Sequence, residues 1–140
     1  MDNNFEYFEV TQKALLVRNN KILVALDTAA NKWDLPGGRI DKGEKDADSA
    51  FAREVLEELG IEKFEKIDIA DREIFINKRG NPSCAIGILI KNDDDELIIS
   101  DEHLEFKWIN ENEIKNYEFT HPQIVALVKA GFKYLNKYGK

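Results

Sequence analysis

One cysteine, Cys84, stands in 140 residues. A lone thiol excludes an intrachain disulfide, and its place in the apolar run 84–90 predicts a reduced, buried core residue. No stretch approaches the roughly 18 consecutive apolar residues of a membrane span, so no membrane partner is expected. Met1-Asp2-Asn3-Asn4 lacks the features of a signal peptide, and the expected location is cytoplasmic. Basic residues are fewer than acidic ones, 20 against 27, giving a net charge of −7. That balance argues against a nucleic-acid partner, whose backbone requires clustered Lys and Arg. A polyphosphate would also be repelled unless cations intervened. No EF-hand spacing of alternating Asp and Asn is present. Linkers and repeats are missing as well. The length matches one domain with one good core, so residues 1–140 are expected to form a single domain.

The most informative stretch is 38–61, which reads GRIDKGEKDADSAFAREVLEELGI. Within it Glu54, Glu57 and Glu58 stand at i, i+3 and i+4, spacings that share one helix face. With Phe51 at zero, Glu57, Glu54 and Glu58 fall at about 240°, 300° and 340°. Phe51, Val55, Leu59, Ala52 and Leu56 fill an arc from about 0° to 140°. The pattern predicts a packed apolar face and an opposite acidic patch, ended by a Gly60 cap. Like charges at this spacing repel, and a helix C-terminus disfavours anions. A divalent cation reverses both penalties, and hard oxygens suit Mg²⁺ or Mn²⁺ rather than zinc. Trp33-Asp34-Leu35-Pro36-Gly37-Gly38 leads into this helix. Paired glycines let backbone approach a phosphate and can form an anion-binding nest. A glycine turn followed by a carboxylate helix is a metal-plus-phosphate constellation.

The stretch resembles the signature of the Nudix family, the MutT-like pyrophosphohydrolases. Gly38, Glu44, Arg53-Glu54, Val55, Glu57-Glu58, Gly60 and Ile61 occur in the family's order. One departure is clear: eight residues rather than seven separate Glu44 from Arg53. The extra residue is placed in the connection 45–48, with Asp46 or Asp48 as helix N-cap. The resemblance implies an α/β fold, the Nudix α/β/α sandwich with a mixed sheet between helices. It implies metal-dependent hydrolysis of a diphosphate linkage, with Mg²⁺ expected and Mn²⁺ as the alternative. Carried to matching positions, Glu54, Glu57 and Glu58 become metal ligands, joined by the Gly38 carbonyl, while Arg53 orients the carboxylates. Glu57 is also a catalytic candidate, and Glu44 is a weaker one because of the insertion. The general base varies in this family; Glu102 is the first loop candidate here, with Glu105, Asp101 and His103 behind it.

The rest of the chain reads as mixed α/β. Residues 13–18 and 21–26 form two strands around an Asn19-Asn20 turn, and 27–32 is a polar loop. Residues 64–76 alternate partly, 78–82 turn, and 85–90 read as a strand buried on both faces. Strand pieces are expected at 97–99 and 106–109, and an amphipathic helix from Pro122. Trp33, Gly37 and Arg39 are the expected substrate contacts. Phe75, Phe119 and Tyr117 are further stacking candidates, and Lys42 and Arg72 further phosphate candidates. The expected partner is a small nucleotide, a nucleoside di- or triphosphate including oxidised or non-standard ones, bound by a monomer or homodimer. The alternatives are nucleotide sugars, dinucleoside polyphosphates, a catalytically inactive nucleotide-sensing module, or a structural protein whose acidic helix binds Ca²⁺ or nothing.

Overall fold

Asn19 and Asn20 reverse the chain with φ at 52° and 61°. That is the backbone of a tight two-residue hairpin, and asparagine tolerates it better than most residues. A computed structural model describes residues 4–98 and 103–138. Strands β1 (Glu9–Arg18) and β2 (Lys21–Asp27) flank the turn and pair only beside it, at Val17↔Ile22 and Arg18↔Lys21. Farther out, β3 (Lys32–Asp34) pairs with β2, and β4 (Gly37–Arg39) pairs with β1. The 32–39 segment is thereby wedged into the open end of the hairpin, where the Ala14 N–H donates to the Pro36 carbonyl at 2.7 Å. This wedge brings the glycine pair to the site.

Beyond the hairpin follow α1 (Ala47–Leu59), β5 (Glu65–Ile76), β6 (Pro82–Lys91), β7 (His103–Ile109), a 3-10 segment (Glu111–Asn116) and α2 (Pro122–Tyr138). Among the described residues seven strands form one mixed sheet. β6 runs parallel to β1 and antiparallel to β5, and β7 is antiparallel to β2. The central strands read as near-continuous apolar runs because both of their faces are covered. Leu15, Val17, Ile22, Val24, Ala85 and Leu89 pack with Leu127, Val128 and Phe132 of α2. Ala14, Leu16, Leu23, Ile88 and Ile90 pack with Phe51, Val55 and Leu59 of α1. Alternate side chains thus feed two cores, and the α/β/α sandwich is present as expected. No helix among the described residues is long and apolar enough to cross a membrane.

Asp46 is the N-cap of α1, and α1 is α-helical throughout. Its carboxylate accepts from the Ser49 hydroxyl at 2.5 Å. The extra residue before Arg53 is therefore absorbed ahead of the helix. Asp48 lies exposed in the first turn, 3.0 Å from Lys66. Gly60 caps the other end, donating to the Leu56 carbonyl at 2.9 Å.

Four expectations change. The packed face of α1 carries Ala50, Phe51, Val55, Glu58 and Leu59, whereas Ala52 and Leu56 are exposed. The buried arc is rotated toward the glutamates because α1 lies over the strand–wedge junction as well as over the apolar sheet. Glu58 is consequently 7% exposed, not on an open face. Leu97 and Ile98 are not strand; the Ile98 N–H caps the end of α1 at the Leu59 carbonyl, and Ile99 lies outside the described residues. Cys84 is free but only half-buried, because β6 begins at a thinly covered end of the sheet. The glycine pair is a strand rather than an open nest.

Candidate active site

Gly37 and Gly38 sit opposite Lys13 and Gln12 of β1. Gly37 has φ 144°, and a Cβ there would lie 2.1 Å from the Gln12 carbonyl oxygen. At Gly38 a Cβ would lie 1.3 Å from Glu54 Oε2. The second glycine thus makes room for a carboxylate, and that contact joins the wedge to α1. A glycine pair is expected where backbone approaches a phosphate; here strand pairing and the Glu54 carboxylate are what require both.

Arg53 is the centre of the carboxylate network. Its guanidinium donates twice to Glu44, Nε to Oε2 and Nη2 to Oε1, each at 2.9 Å. Nη1 donates to Glu54 at 3.0 Å and to Glu57 at 3.2 Å, and Nη2 stands 3.4 Å from Asp41. Such forked, charge-assisted pairing fixes side-chain geometry as well as adding energy. Glu44 accepts the Asp41 N–H too, at 2.7 Å. Arg53 first, and then that N–H, hold the Glu44 carboxyl below the ordinary carboxylate range. Despite the insertion, Glu44 reaches its place and serves Arg53.

Glu54 behaves oppositely. Its side chain is 14% exposed against 58% for Glu57. Burial pushes its carboxyl up, Arg53 pulls it down, and the neighbouring charge of Glu57 pushes it up again. Arg53 itself is held firmly protonated, mainly by its hydrogen bond to Glu44. Glu54 is therefore a carboxylate whose charge Arg53 offsets only in part. All donors in this cluster are hard carboxylate oxygens, the set that suits Mg²⁺ or Mn²⁺. Among the described residues no three such groups already stand at closed coordination spacing. The donors fit a hard cation in kind.

Glu54, Glu57 and Glu58 open onto a cavity of about 480 Å³, together with Gly37, Gly38, Arg39 and Arg53. Phe75 also lines it, but Trp33, Tyr117 and Phe119 do not. Trp33 packs edge-on to Tyr117 with ring centroids 5.1 Å apart, and Phe119 is buried. These three serve the core around β3. Glu102 and Asp101 lie outside the described residues; Glu105 is exposed on β7. A larger groove of about 880 Å³ between the 3-10 segment and α2 holds Glu111 and several lysines but none of this cluster.

Several lining residues carried no sequence signal. Lys13 reaches Asp34 at 3.2 Å, and the Thr120 hydroxyl donates to the other Asp34 oxygen at 3.1 Å. These three positions are far apart in sequence and meet only because the wedge pairs with β2 and bridges to Phe119. His121 lies against Phe75, with ring centroids 4.7 Å apart. Burial holds its imidazole below the ordinary value of 6.5; Asp34 opposes this, while Lys78, Lys13 and Lys32 reinforce it. As pH falls below 6.5 the unfolded chain takes the proton first, so the folded state loses stability through the window beneath that value. His121→Gln is expected to flatten the fall in Tm between about pH 6.5 and 5. An unchanged slope in thermal unfolding would remove His121 from this role.

An α/β/α sandwich with a carboxylate–guanidinium network under a glycine strand presents hard oxygen donors on one cavity, the donor type that suits divalent cations. Comparison with known proteins is specific. The NUDIX domain model matches residues 8–128. The asymmetrical bis(5'-nucleosyl)-tetraphosphatase of Rattus norvegicus is 32% identical over 96 residues, covering 66% of this chain and 65% of that protein. An RNA pyrophosphohydrolase of Pelagibacter ubique is 32% identical over 117 residues, 69% of this chain and 72% of that one. The crystal structure of a MutT protein from Methanosarcina mazei superposes with TM-score 0.77 at 27% identity, covering 94% and 97% of the two chains. The chain belongs to the NUDIX family, whose members hydrolyse diphosphate linkages in nucleotide derivatives with divalent metals. It spans just under two thirds of the rat relative's length.

Proposed function

We propose that this protein hydrolyses a phosphoanhydride bond of a nucleoside di- or triphosphate, oxidised or non-standard ones included, with Mg²⁺ as the physiological cation and Mn²⁺ as a substitute. The product is a nucleoside monophosphate with phosphate or pyrophosphate. The observation that carries the reading is the Glu54–Glu57–Arg53–Glu44 network opening onto one cavity. Glu54, Glu57 and Glu58 would hold the cation, with the Gly38 carbonyl as a further donor. When bound, the cation neutralises phosphate oxygens and lowers the pKa of an attacking water. Arg53 keeps Glu54 and Glu57 aligned through Nη1, while Glu44 fixes Arg53 from the other side. Glu57, the exposed member of the trio, or Glu102 accepts the proton released from water. Arg39 takes a phosphate at the cavity mouth, and Gly37 lets β4 seat against β1 so that the wedge reaches the site.

A dinucleoside polyphosphate is the second reading, favoured by the similarity to the rat tetraphosphatase. The protein acts as one domain, a monomer or homodimer, in the cytoplasm and without a nucleic-acid partner. Incubation with a nucleotide panel and Mg²⁺, with chromatographic identification of products, tests all of this chemistry. Monophosphate release from mononucleotides is expected to exceed release from dinucleoside tetraphosphates and nucleotide sugars. No release from any panel member would overturn the catalytic reading in favour of a nucleotide-sensing module.

A further inference from the structure

The mouth of the cavity carries a second charge cluster, organised by the first residue of β1. Glu9 Oε1 accepts from Asn77 Nδ2 at 3.0 Å and from a guanidinium N–H of Arg79. Glu9 Oε2 accepts from Asn81 Nδ2 at 2.7 Å. Arg39, the last residue of β4, places Nη1 3.5 Å from the same Oε1. Asn77 in turn shapes the β5–β6 turn, its side-chain oxygen accepting the N–H groups of Arg79 at 3.0 Å and Asn81 at 3.1 Å. One carboxylate therefore ties two separate pieces of chain, the wedge and the turn, across one opening. Glu9, Arg39, Lys78 and Arg79 all line the cavity.

Arg39, Lys78 and Arg79 line the same cavity as Glu9, so that a set of basic side chains faces the cluster of Glu54, Glu57 and Glu58. A guanidinium has five N–H donors, so one shared carboxylate leaves each arginine with donors for another oxyanion. Both arginines are about half exposed, 54% and 50%, and open to a ligand. Held by Glu9, they lose less freedom on binding than two untethered arginines would. Glu9 stays ionised in this setting, held below the ordinary carboxylate range mainly by Asn81 and then by Arg79.

We propose that Glu9 is a positioning residue that holds Arg39 and Arg79 as a two-guanidinium clamp on the polyphosphate chain, selecting substrates with three or more phosphates over those with two. The clamp rests on the reading of this cavity as the hydrolytic site. It differs from that glutamate cluster in what it does: it grips phosphate, and it leaves the bond-breaking groups untouched.

Steady-state hydrolysis of dGTP and dGDP at fixed Mg²⁺ tests it. Arg79→Ala is expected to raise KM for dGTP about tenfold, the effect of one charge-assisted hydrogen bond, with kcat and the dGDP parameters little changed. Glu9→Gln should move KM for dGTP in the same direction. In an Arg39→Ala/Arg79→Ala background, adding Glu9→Gln should cost no more than about twofold, because Glu9 acts through those two arginines. Additive losses, or equal losses on both nucleotides, would overturn the clamp. Calorimetric titration with inorganic tripolyphosphate and with orthophosphate supplies a readout that needs no turnover. Arg79→Ala should weaken tripolyphosphate about tenfold and leave orthophosphate unchanged. If wild type cleaved neither nucleotide, the hydrolytic reading would fall, and the titration would still decide the clamp. Equal tripolyphosphate affinity in both proteins would end it.

Discussion

Glu58→Gln is expected to lower kcat by about 10³-fold or more, with a Tm close to that of the parent. Lost stabilisation of charge in the transition state amounts to several kcal/mol, and one carboxylate of the proposed cation site would supply a share of that order. The substitution keeps shape and volume, which matters because Glu58 lies on the packed face of α1 and is only 7% exposed. A shorter side chain there would confound chemistry with packing. Kinetics at saturating Mg²⁺, with thermal unfolding on the same samples, separate the two effects. Near-parental turnover would show that this helix does not hold the catalytic cation.

Gly37→Ala is expected to destabilise the fold by about 4 kcal/mol, from a strained backbone at about 1–3 kcal/mol and overpacking at about 1–3 kcal/mol. The added Cβ meets main chain on β1, the Gln12 oxygen at 2.1 Å and Lys13 Cα at 2.9 Å, neither of which is a flexible side-chain end. Relief requires β4 to leave β1, which frees the wedge and breaks its contact with Glu54 of α1. The neighbouring substitution should behave differently. At Gly38 the added Cβ meets the Glu54 carboxylate, with Oε2 at 1.3 Å, and a side chain can swing away. Gly38→Ala should therefore keep most of the stability and lose activity, because Glu54 no longer sits where Arg53 Nη1 holds it. Urea unfolding of both variants, beside their kcat, checks the contrast. Equal stability losses at the two glycines would contradict the packing described for the wedge.

Much of this protein follows from its sequence alone. The Asn19-Asn20 turn, the doubly buried strand within β6, α2 and the register of Glu54, Glu57 and Glu58 on α1 all rest on short-range rules. Alternation with period two or 3.6, turn residues and caps act between near neighbours, so local sequence suffices to specify them. The orienting role of Arg53 came from the family resemblance; helix spacing by itself accounts for its i+4 contact with Glu57 and not for the forked pair with Glu44.

What only the tertiary structure decided depends on how elements meet. A helical wheel ranks residues by angle, but the direction from which the sheet approaches chooses which arc is buried; here it took Glu58 inward and left Leu56 out. The reason for two successive glycines lay in strand pairing with β1 and in a carboxylate from a distant helix. Trp33 looked like a stacking surface but, half-buried, packs against the core, with β3 bridged to Phe119. Lys13, Asp34 and Thr120, and Glu9 with Arg39 and Arg79, form clusters across separations of up to 86 residues. No local pattern encodes such contacts. They exist because long-range strand pairing brings the first strand, the wedge and the β5–β6 turn to one end of the sheet.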